Sequence, residues 1–381
     1  MSWFPTAELH EPRKMVFASC RGLSPVRSRA LLYLLEDLAC ALDDATLLVP
    51  EGSGFPSELQ AKSARFFFRN GSSRLARSFT PSLPLNGSPH ELLFIGCQGV
   101  GDLSTLLPLF TRDGIAKRKT CFMEELWVKD LELRPLALAC LRTCDFLLVG
   151  CSETVAPLEK LTGVPCFHLP PSVDTLRFTP FGLDGKTEIR PRTIDLYWMG
   201  RRETELHTAF HQWSRDSGRF YLFDTAGNAP FQNHIEHREH LIDLIQRSRY
   251  FMVQEAKAGN HAVGHQHEIG FRFFEGAAAG TVMLGPPTDA ANFKEFFPHD
   301  EVFITVDGSP ADFVRTMQEL DQQPERRAKI GRRNVAHMLR HHDHAHRILQ
   351  VMKIAGLKPG DGLLERIEHL GSVAAATLDS I

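Results

Sequence analysis

The chain has 381 residues, of which 43% are hydrophobic and 23% charged, a composition that excludes a disordered tail and a small disulfide-stapled fold. At roughly 100–200 residues per domain, this length predicts two domains. The formal net charge of -3 excludes the strong positive field of a general nucleic-acid-binding protein, so any basic surface must be local.

Apolar runs rich in β-branched and aromatic residues recur along the first half of the chain, each followed by a turn and a longer helical pattern. This alternation predicts parallel strands covered by helices, because parallel neighbours need a crossover connection that is usually an α-helix. The predicted strands lie at 14–20, 45–50, 92–97, 120–123 and 145–150, and an amphipathic helix is predicted at 25–42.

The same rhythm begins again after residue 193. Strands are predicted at 194–199, 218–223, 250–254 and 281–284, and they alternate with helices such as 234–249 and 308–320. Between the two halves, residues 164–192 hold five prolines, a density that interrupts regular elements and is typical of a connector.

The predicted fold class is therefore α/β, with two Rossmann-like domains facing each other across a cleft. Because doubly wound sheets bind ligands outside the carboxyl ends of their strands, the active site is expected in that cleft. The predicted boundaries are 1–175 for the N-terminal domain, 176–192 for the linker, 193–350 for the C-terminal domain and 351–381 for a helical tail.

The most informative stretch is HEIGFRFFEGAAAGTVMLGP at residues 267–286. Glu275 is followed by small residues through Gly280 and then by an apolar strand, so backbone or ligand can approach closely. A carboxylate at such a turn could hydrogen-bond two vicinal hydroxyl groups. This stretch resembles the hallmark motif of the group-1 glycosyltransferases, which are retaining, family-4-like enzymes with the GT-B architecture. This group includes the CgeB-like branch.

Further segments resemble that family in the expected order. LPPSVDTLRFTP at 169–180 is similar to its interdomain signature, and MGRR at 199–202 is similar to the glycine turn after the second domain's first strand. Residues 303–349, which end in HHDHAHRIL, resemble its C-terminal part. The similarity is close over 169–350, whereas the first half shares only the alternation of strands and helices.

The resemblance implies an N-terminal domain that binds the acceptor and a C-terminal domain that binds a nucleotide diphosphate sugar. In the family, the Glu aligned with Glu275 holds the ribose of the donor. The turn that begins at Gly200 is the place of a phosphate-binding arginine, which makes Arg201 and Arg202 candidates. The backbone at Gly270 is a predicted contact of the donor sugar.

The leaving group itself sets a chemical requirement. A departing pyrophosphate accumulates negative charge, which fixed cations or oriented N–H groups must stabilise. Arg201, Arg202 and Lys257, which follows a predicted strand, are the predicted cations, and a solvated surface charge is the alternative for each arginine. Because no Asp-x-Asp motif is present, neither a metal ion nor another cofactor is predicted to be required.

One position departs from the family pattern. Many retaining members carry a second Glu eight residues before the ribose-binding one, where this chain has His267, followed by Glu268. His267 keeps the helical register, whereas Glu268 needs a bulge because one residue turns a helix by about 100°. Arg272 lies one turn before Glu275 and either contacts the donor or orients Glu275 through a salt bridge.

Three weaker patterns leave alternatives open. GCQGVG at 96–101 follows a strand like a phosphate loop, although a tight strand-to-helix turn is favoured. Histidines crowd into 261–267 and 337–346, where a histidine-bearing helix surface is favoured over a metal site. Residues 62–77 interleave five Lys or Arg with three Phe. They could lie on an anionic membrane or acceptor, although a solvated face over a buried Phe cluster is favoured.

Eight cysteines without a Cys-x-x-Cys motif, and the lack of a leader or spanning run, predict a cytoplasmic protein. Peripheral contact with the inner membrane face through residues 62–77 is the open option. The predicted activity is sugar transfer from a nucleotide diphosphate donor to a glycan, lipid-linked or protein acceptor, with retention of configuration and no nucleic-acid partner. A nucleotide-sugar epimerase of the same fold and a non-catalytic binding protein are the alternatives.

Overall fold

The computed structural model describes residues 14–21, 29–42, 45–49, 57–80, 90–112, 114–133, 135–182, 184–223, 231–259 and 264–380. The chain divides into two compact units. Unit 1 contains Met1–Pro170 and Arg347–Leu364, and unit 2 contains Pro171–His346 and Glu365–Ile381.

Within the described residues, unit 1 is built on a six-stranded parallel sheet with the order β2-β1-β3-β4-β5-β6. Its strands are β1 (Met15–Ala18), β2 (Ala45–Leu48), β3 (His90–Cys97), β4 (Ala116–Met123), β5 (Phe146–Val149) and β6 (Cys166–His168). Its helices are α1 (Ala30–Leu42), α2 (Ser57–Arg69), α3 (Ser73–Ser78), α4 (Leu107–Thr111), α5 (Pro135–Leu141) and α6 (Val155–Thr162). β1, β5 and the second half of β4 are buried on both faces, which explains why they read as continuous apolar runs.

Unit 2 has a five-stranded parallel sheet in its described part, with the order β11-β10-β9-β7-β8. Its strands are β7 (Ile194–Trp198), β8 (Tyr221–Phe223), β9 (Ser248–Met252), β10 (Val282–Gly285) and β11 (Ile304–Thr305). Its helices are α7 (Thr175–Phe178), α8 (Thr204–Ser217), α9 (His234–Gln246), α10 (Phe271–Ala278), α11 (Phe293–Phe296), α12 (Pro310–Asp321) and α13 (Pro324–His341).

The helices of unit 2 begin and end at residues suited to those places. The Glu203 carboxylate accepts hydrogen bonds from the backbone N–H groups of Glu205 and Leu206 at 2.9 and 2.7 Å, which caps the first turn of α8. The helix ends at Gly218, whose φ of 68° is the left-handed conformation that glycine adopts without strain. The Asn233 side chain caps α9 in the same manner, through the N–H of Glu236 at 2.9 Å.

Most predicted elements lie where the sequence placed them, although several bounds differ. The strand predicted at 218–223 begins at Tyr221, because α8 extends to Ser217 and Gly218 caps it. The helix predicted at 234–249 ends at Gln246, because Ser248 already pairs with Ile194 in the sheet. The segment predicted to begin a connector at 164 contains β6, which pairs with β5. Residues 25–28 of the predicted helix 25–42 lie outside the described residues.

The units also differ from the predicted domain boundaries. The division falls at Pro170 rather than at 175, and α7 occupies the start of the predicted linker. The chain enters unit 1 within α14 (His344–Ile354) and returns to unit 2 within α15 (Asp361–Leu378). Residues 351–381 contain the end of α14 and all of α15, and the two units share them.

One ion-pair cluster holds the returning helix in unit 2. The Arg366 guanidinium donates to both carboxylate oxygens of Asp343 at 2.9 Å and to Asp174 at 2.6 Å, and all three side chains are largely buried. No helix in the described ranges is both long enough and apolar enough to cross a membrane.

Candidate functional site

The carboxyl ends of β7 and β9 mark the point where the strand order of unit 2 reverses. β8 lies on one side of β7 while β9, β10 and β11 lie on the other, and ligands of doubly wound sheets bind at such a switch point. The Gln254 side chain donates to the backbone carbonyl of Arg201 at 3.4 Å and so joins the ends of the two strands. Gly200 makes the preceding turn with a φ of 98°.

The amino terminus of α10 is held against the same edge. A Cβ atom at Gly270 would lie 2.3 Å from the carbonyl oxygen of Gln254, so only glycine permits this approach. The first N–H groups of a helix have no intrahelical partner, and the helix dipole places partial positive charge there. The predicted Gly270 therefore positions a group that can bind an anion.

The two predicted arginines occupy different surroundings. Arg202 donates to the carbonyl of Gly200 at 3.4 Å, and its guanidinium lies 5.3 Å from the centre of the Phe223 ring. Arg201 is exposed. Lys257 lies five residues after β9 in a left-handed conformation with a φ of 56°, which is uncommon for a residue with a side chain.

His267 is brought to this edge by a carboxylate. Its Nδ1 donates to Oε2 of Glu255 at 2.7 Å, while Oε1 of Glu255 accepts from the Thr288 hydroxyl at 2.9 Å and from the N–H of Asp289 at 2.6 Å. Glu255 follows β9, and Thr288 and Asp289 follow β10. This arrangement orients the imidazole while 41% of the His267 side chain stays exposed.

Glu268 points in another direction. Only 5% of the residue is exposed, and its carboxylate accepts a hydrogen bond from the Gln266 side chain at 2.8 Å. Its backbone carbonyl accepts from the N–H of Ala256 at 2.9 Å, which ties the segment to the end of β9. Of the two residues predicted for the sugar contact, His267 is the one with surface available to a ligand.

Glu275 is completely buried between two arginines. Its carboxylate forms ion pairs with Arg238 at 2.7 Å and with Arg272, one turn away on the same helix. Burial alone would raise the pKa of Glu275, but the positive charges of Arg272 and Arg238 outweigh it and hold the pKa below its usual value. The salt bridge predicted between Arg272 and Glu275 is present, whereas the ribose contact of Glu275 stays a prediction.

The glycine-rich turn at 96–101 is occupied by the chain itself. The Asp102 carboxylate accepts from the N–H of Gln98 at 2.8 Å and forms a two-pronged ion pair with Arg29, with both distances 2.7 Å. In a phosphate loop those N–H groups face the ligand. The geometry therefore agrees with the favoured tight turn.

The C-terminal histidines form a partly buried aromatic cluster. The Nε2 atoms of His337 and His342 both donate to the carbonyl of Phe296, at 2.6 and 2.9 Å. The ring centres of His337 and His341 are 4.8 Å apart. Among the described residues, no three His, Cys, Asp or Glu side chains are grouped so as to hold a metal ion. His261 lies outside the described residues.

Sequence reasoning missed four residues of this edge: Arg238, Gln254, Glu255 and Thr288. Gln254 ends the strand predicted at 250–254, Glu255 follows it directly, and Thr288 lies four residues after the strand predicted at 281–284, so position at a strand end was a usable signal for these three. Arg238 offered no such signal, because it lies on α9, 37 positions before its partner Glu275.

Comparison with known proteins supplies independent information. Residues 191–353 match the family model described as "Glycosyl transferase-like". An alpha-glucosyltransferase solved in complex with UDP and a 13-mer DNA has a similar structure, with a TM-score of 0.55, 11% identity, and coverage of 91% of this chain and 100% of that one. HepE from Anabaena, solved with UDP-glucose, has a TM-score of 0.50, 11% identity, and coverage of 90% and 99%. No curated protein matches in sequence.

These findings confirm the predicted α/β fold of the GT-B class and the predicted glycosyltransferase. The matched residues 191–353 contain β7, β9, α10 and the edge described above. The similar structures establish the fold, at 11% identity, and most of the residues that match the family model belong to unit 2, which carries this edge.

Proposed function

We propose that this glycosyltransferase moves a sugar from a nucleoside diphosphate donor to a hydroxyl group of a glycan, lipid-linked or protein acceptor. The reaction retains the anomeric configuration and needs no metal ion, and we place the enzyme in the cytoplasm. UDP-glucose is the first donor to test, because similar structures hold UDP or UDP-glucose.

The observation that carries the proposal is the meeting of three elements at one switch point. The turn after β7, the segment after β9 and the amino terminus of α10 are joined there by the Gln254–Arg201 hydrogen bond and by the close approach at Gly270. A diphosphate at this edge would accept hydrogen bonds from the helix N–H groups and face the exposed Arg201.

The proposed roles follow from exposure and existing partners. Arg201 stabilises the charge that develops on the leaving diphosphate, since Arg202 already packs on Phe223. His267, oriented by Glu255, offers Nε2 to a hydroxyl group of the donor sugar. Glu275 holds Arg272, whose side chain is 27% exposed and therefore available to the donor.

The chemistry needs no separate base. The bond between the anomeric carbon and the diphosphate oxygen breaks, the acceptor oxygen bonds to that carbon, and the acceptor proton passes to the departing phosphate oxygen. The proposed cytoplasmic location is supported by the cysteines, because all eight lie in the described part of the chain and none forms a disulfide.

Donor binding is the first test. Calorimetric titration with UDP, GDP, ADP and dTDP should detect one tight ligand, which should also raise the melting temperature, by linkage. Radiolabelled UDP-glucose should then yield UDP and a labelled product. An epimerase would return an altered nucleotide sugar. A non-catalytic protein would bind UDP-glucose without splitting it into UDP and a labelled product. Either result would contradict the proposal.

Arg201→Ala tests the assignment of the site. Loss of one preorganised donor to developing charge should lower UDP release roughly 10²–10³-fold, while Arg202→Ala, the matched control in the same turn, should have a much smaller effect. Both variants should keep the wild-type melting temperature, since both side chains lie at the surface. Equal turnover in wild type and Arg201→Ala would move the leaving-group site elsewhere.

A further inference from the structure

The helical hairpin of α2 and α3 carries one strongly basic surface, which we call the hairpin face. Its cations are Lys62, Arg65, Arg69, Arg74 and Arg77, all exposed. Glu58 is the one acidic residue in the sequences of α2 and α3, against five Lys or Arg. An overall charge of -3 makes this local excess of positive charge distinctive.

Exposed apolar side chains lie on the same two helices. Phe66 is 62% exposed, and Leu59 and Leu75 are each about half exposed. At about 100° per residue, Leu59, Phe66 and the three cations of α2 fall within an arc of roughly 120°. Ala64 and Phe68, on the opposite side of the helix, are buried, and Phe68 belongs to the core of unit 1.

The phenylalanines therefore divide between two roles. Phe68 is buried, and Phe67 is half-buried and stacks on Phe79 with ring centres 5.4 Å apart. These two anchor the hairpin to the core, as the favoured interpretation of this segment requires. Phe66 does not anchor the hairpin, because most of its side chain lies on the outer surface among the cations.

We propose that the hairpin face docks on an anionic membrane surface, with Phe66, Leu59 and Leu75 inserted at the headgroup boundary. Charge complementarity identifies the partner: cations on a helix face attract acidic lipids, and the exposed apolar side chains gain by leaving water. A nucleic acid would also attract the cations, but it offers no apolar layer for two leucines. The proposal is independent of the donor and of the acceptor.

Vesicle flotation with the full chain tests this docking. The protein should float with vesicles of phosphatidylcholine and phosphatidylglycerol at 7:3 and stay at the bottom with pure phosphatidylcholine. Binding should weaken at high salt, because exposed charges are screened. The triple variant Arg65→Gln, Arg74→Gln, Arg77→Gln should lower the partition coefficient on the order of 100-fold.

The chain offers a matched control for net charge. Lys329, Arg333 and Arg340 are exposed on α13, where none of the described residues is a large exposed apolar side chain. The triple change of these residues to Gln removes the same charge and should leave the partition coefficient within about threefold of wild type. Equal losses in the two triple variants would overturn the proposal in favour of bulk charge.

Phe66 tests the apolar part. Phe66→Ser should lower the partition coefficient about tenfold, whereas Phe220→Ser, at a 52% exposed phenylalanine of unit 2, should not. Surface changes of this kind usually leave stability nearly unchanged, and melting curves will verify that each variant folds. Binding to a 30-base-pair DNA duplex that is lost in the first triple variant, without vesicle binding by the wild type, would identify a nucleic-acid surface instead.

Discussion

The two sheets reverse their strand order in the same way, yet different side chains lie at their switch points. In unit 1 the reversal lies between β1 and β3, where Arg29 and Asp102 form a buried ion pair and Asp102 also accepts the N–H of Gln98. In unit 2 the corresponding point has the exposed Arg201 and the amino terminus of α10. Topology therefore indicates where a ligand can bind, while the side chains determine whether the protein itself already occupies that site.

The buried ionisable groups of the two units also respond oppositely to pH. Burial raises the pKa of Glu124 in unit 1 to about 8, and its Oε2 has no hydrogen-bond partner. Burial lowers the pKa of His337 in unit 2 to about 4. Glu124 therefore contributes most stability below its usual pKa of 4.5 and loses it as the pH rises toward 8. His337 contributes stability above its usual 6.5 and loses it as the pH falls toward 4.

The largest expected effect concerns the buried ion pairs of unit 2. Glu275→Ala removes the carboxylate that neutralises Arg238 and Arg272, and it leaves at least one guanidinium buried without a counter-ion. Breaking such a pair typically costs about 3–5 kcal/mol. Urea unfolding should show a loss of this size in the free energy of unfolding.

Glu239→Ala provides the control for this measurement. Glu239 pairs with Arg177 at 3.0 Å in the same unit, but 64% of its side chain is exposed. An exposed pair contributes less than about 1 kcal/mol. Similar losses in the two variants would mean that the burial of Glu275 has no energetic consequence. That result would contradict the claim that buried ion pairs contribute more to stability than exposed ones.

The second prediction concerns the buried carboxyl group of Glu124 in unit 1. Glu124→Gln removes the titration, so it should flatten the decline in stability between pH 5 and pH 8. At about 1.36 kcal/mol for each unit of pKa difference, wild type should lose roughly 3 kcal/mol over that range relative to the variant. The free energy of unfolding at several pH values measures this difference.

His337→Gln is the opposing control, because it keeps a side-chain donor near the Phe296 carbonyl while removing the titration. It should change the pH dependence only below pH 6.5, where unfolding takes up a proton. The two variants should thus alter opposite ends of the stability profile. Parallel profiles for wild type and Glu124→Gln would show that Glu124 is not buried in solution as described.

The sequence predicted the alternation of strands and helices well, because parallel strands buried on both faces carry an unmistakable apolar run. It placed Gly200, Arg201 and Gly270 at strand or helix ends for the same reason. It could not locate Arg238, since pairing across 37 positions depends on tertiary packing. It likewise could not decide between His267 and Glu268, because their exposure depends on the backbone path after β9.

The smallest expected effect is a gain in stability at the edge of unit 2. Among the described residues, the non-glycine residues with left-handed backbone are Lys257 and Glu301, both in unit 2. Such a conformation costs roughly 1 kcal/mol, and functional sites often hold strain of this kind. Lys257→Gly should raise the free energy of unfolding by about 0.5–1 kcal/mol, because glycine adopts this φ without strain. Lys257→Ala keeps the strain and should not stabilise the protein.

If Lys257 faces the donor diphosphate, both variants should slow UDP release, and only Lys257→Gly should combine slower release with greater stability. Unchanged UDP release in both variants would remove Lys257 from the site and leave its strain unexplained by function.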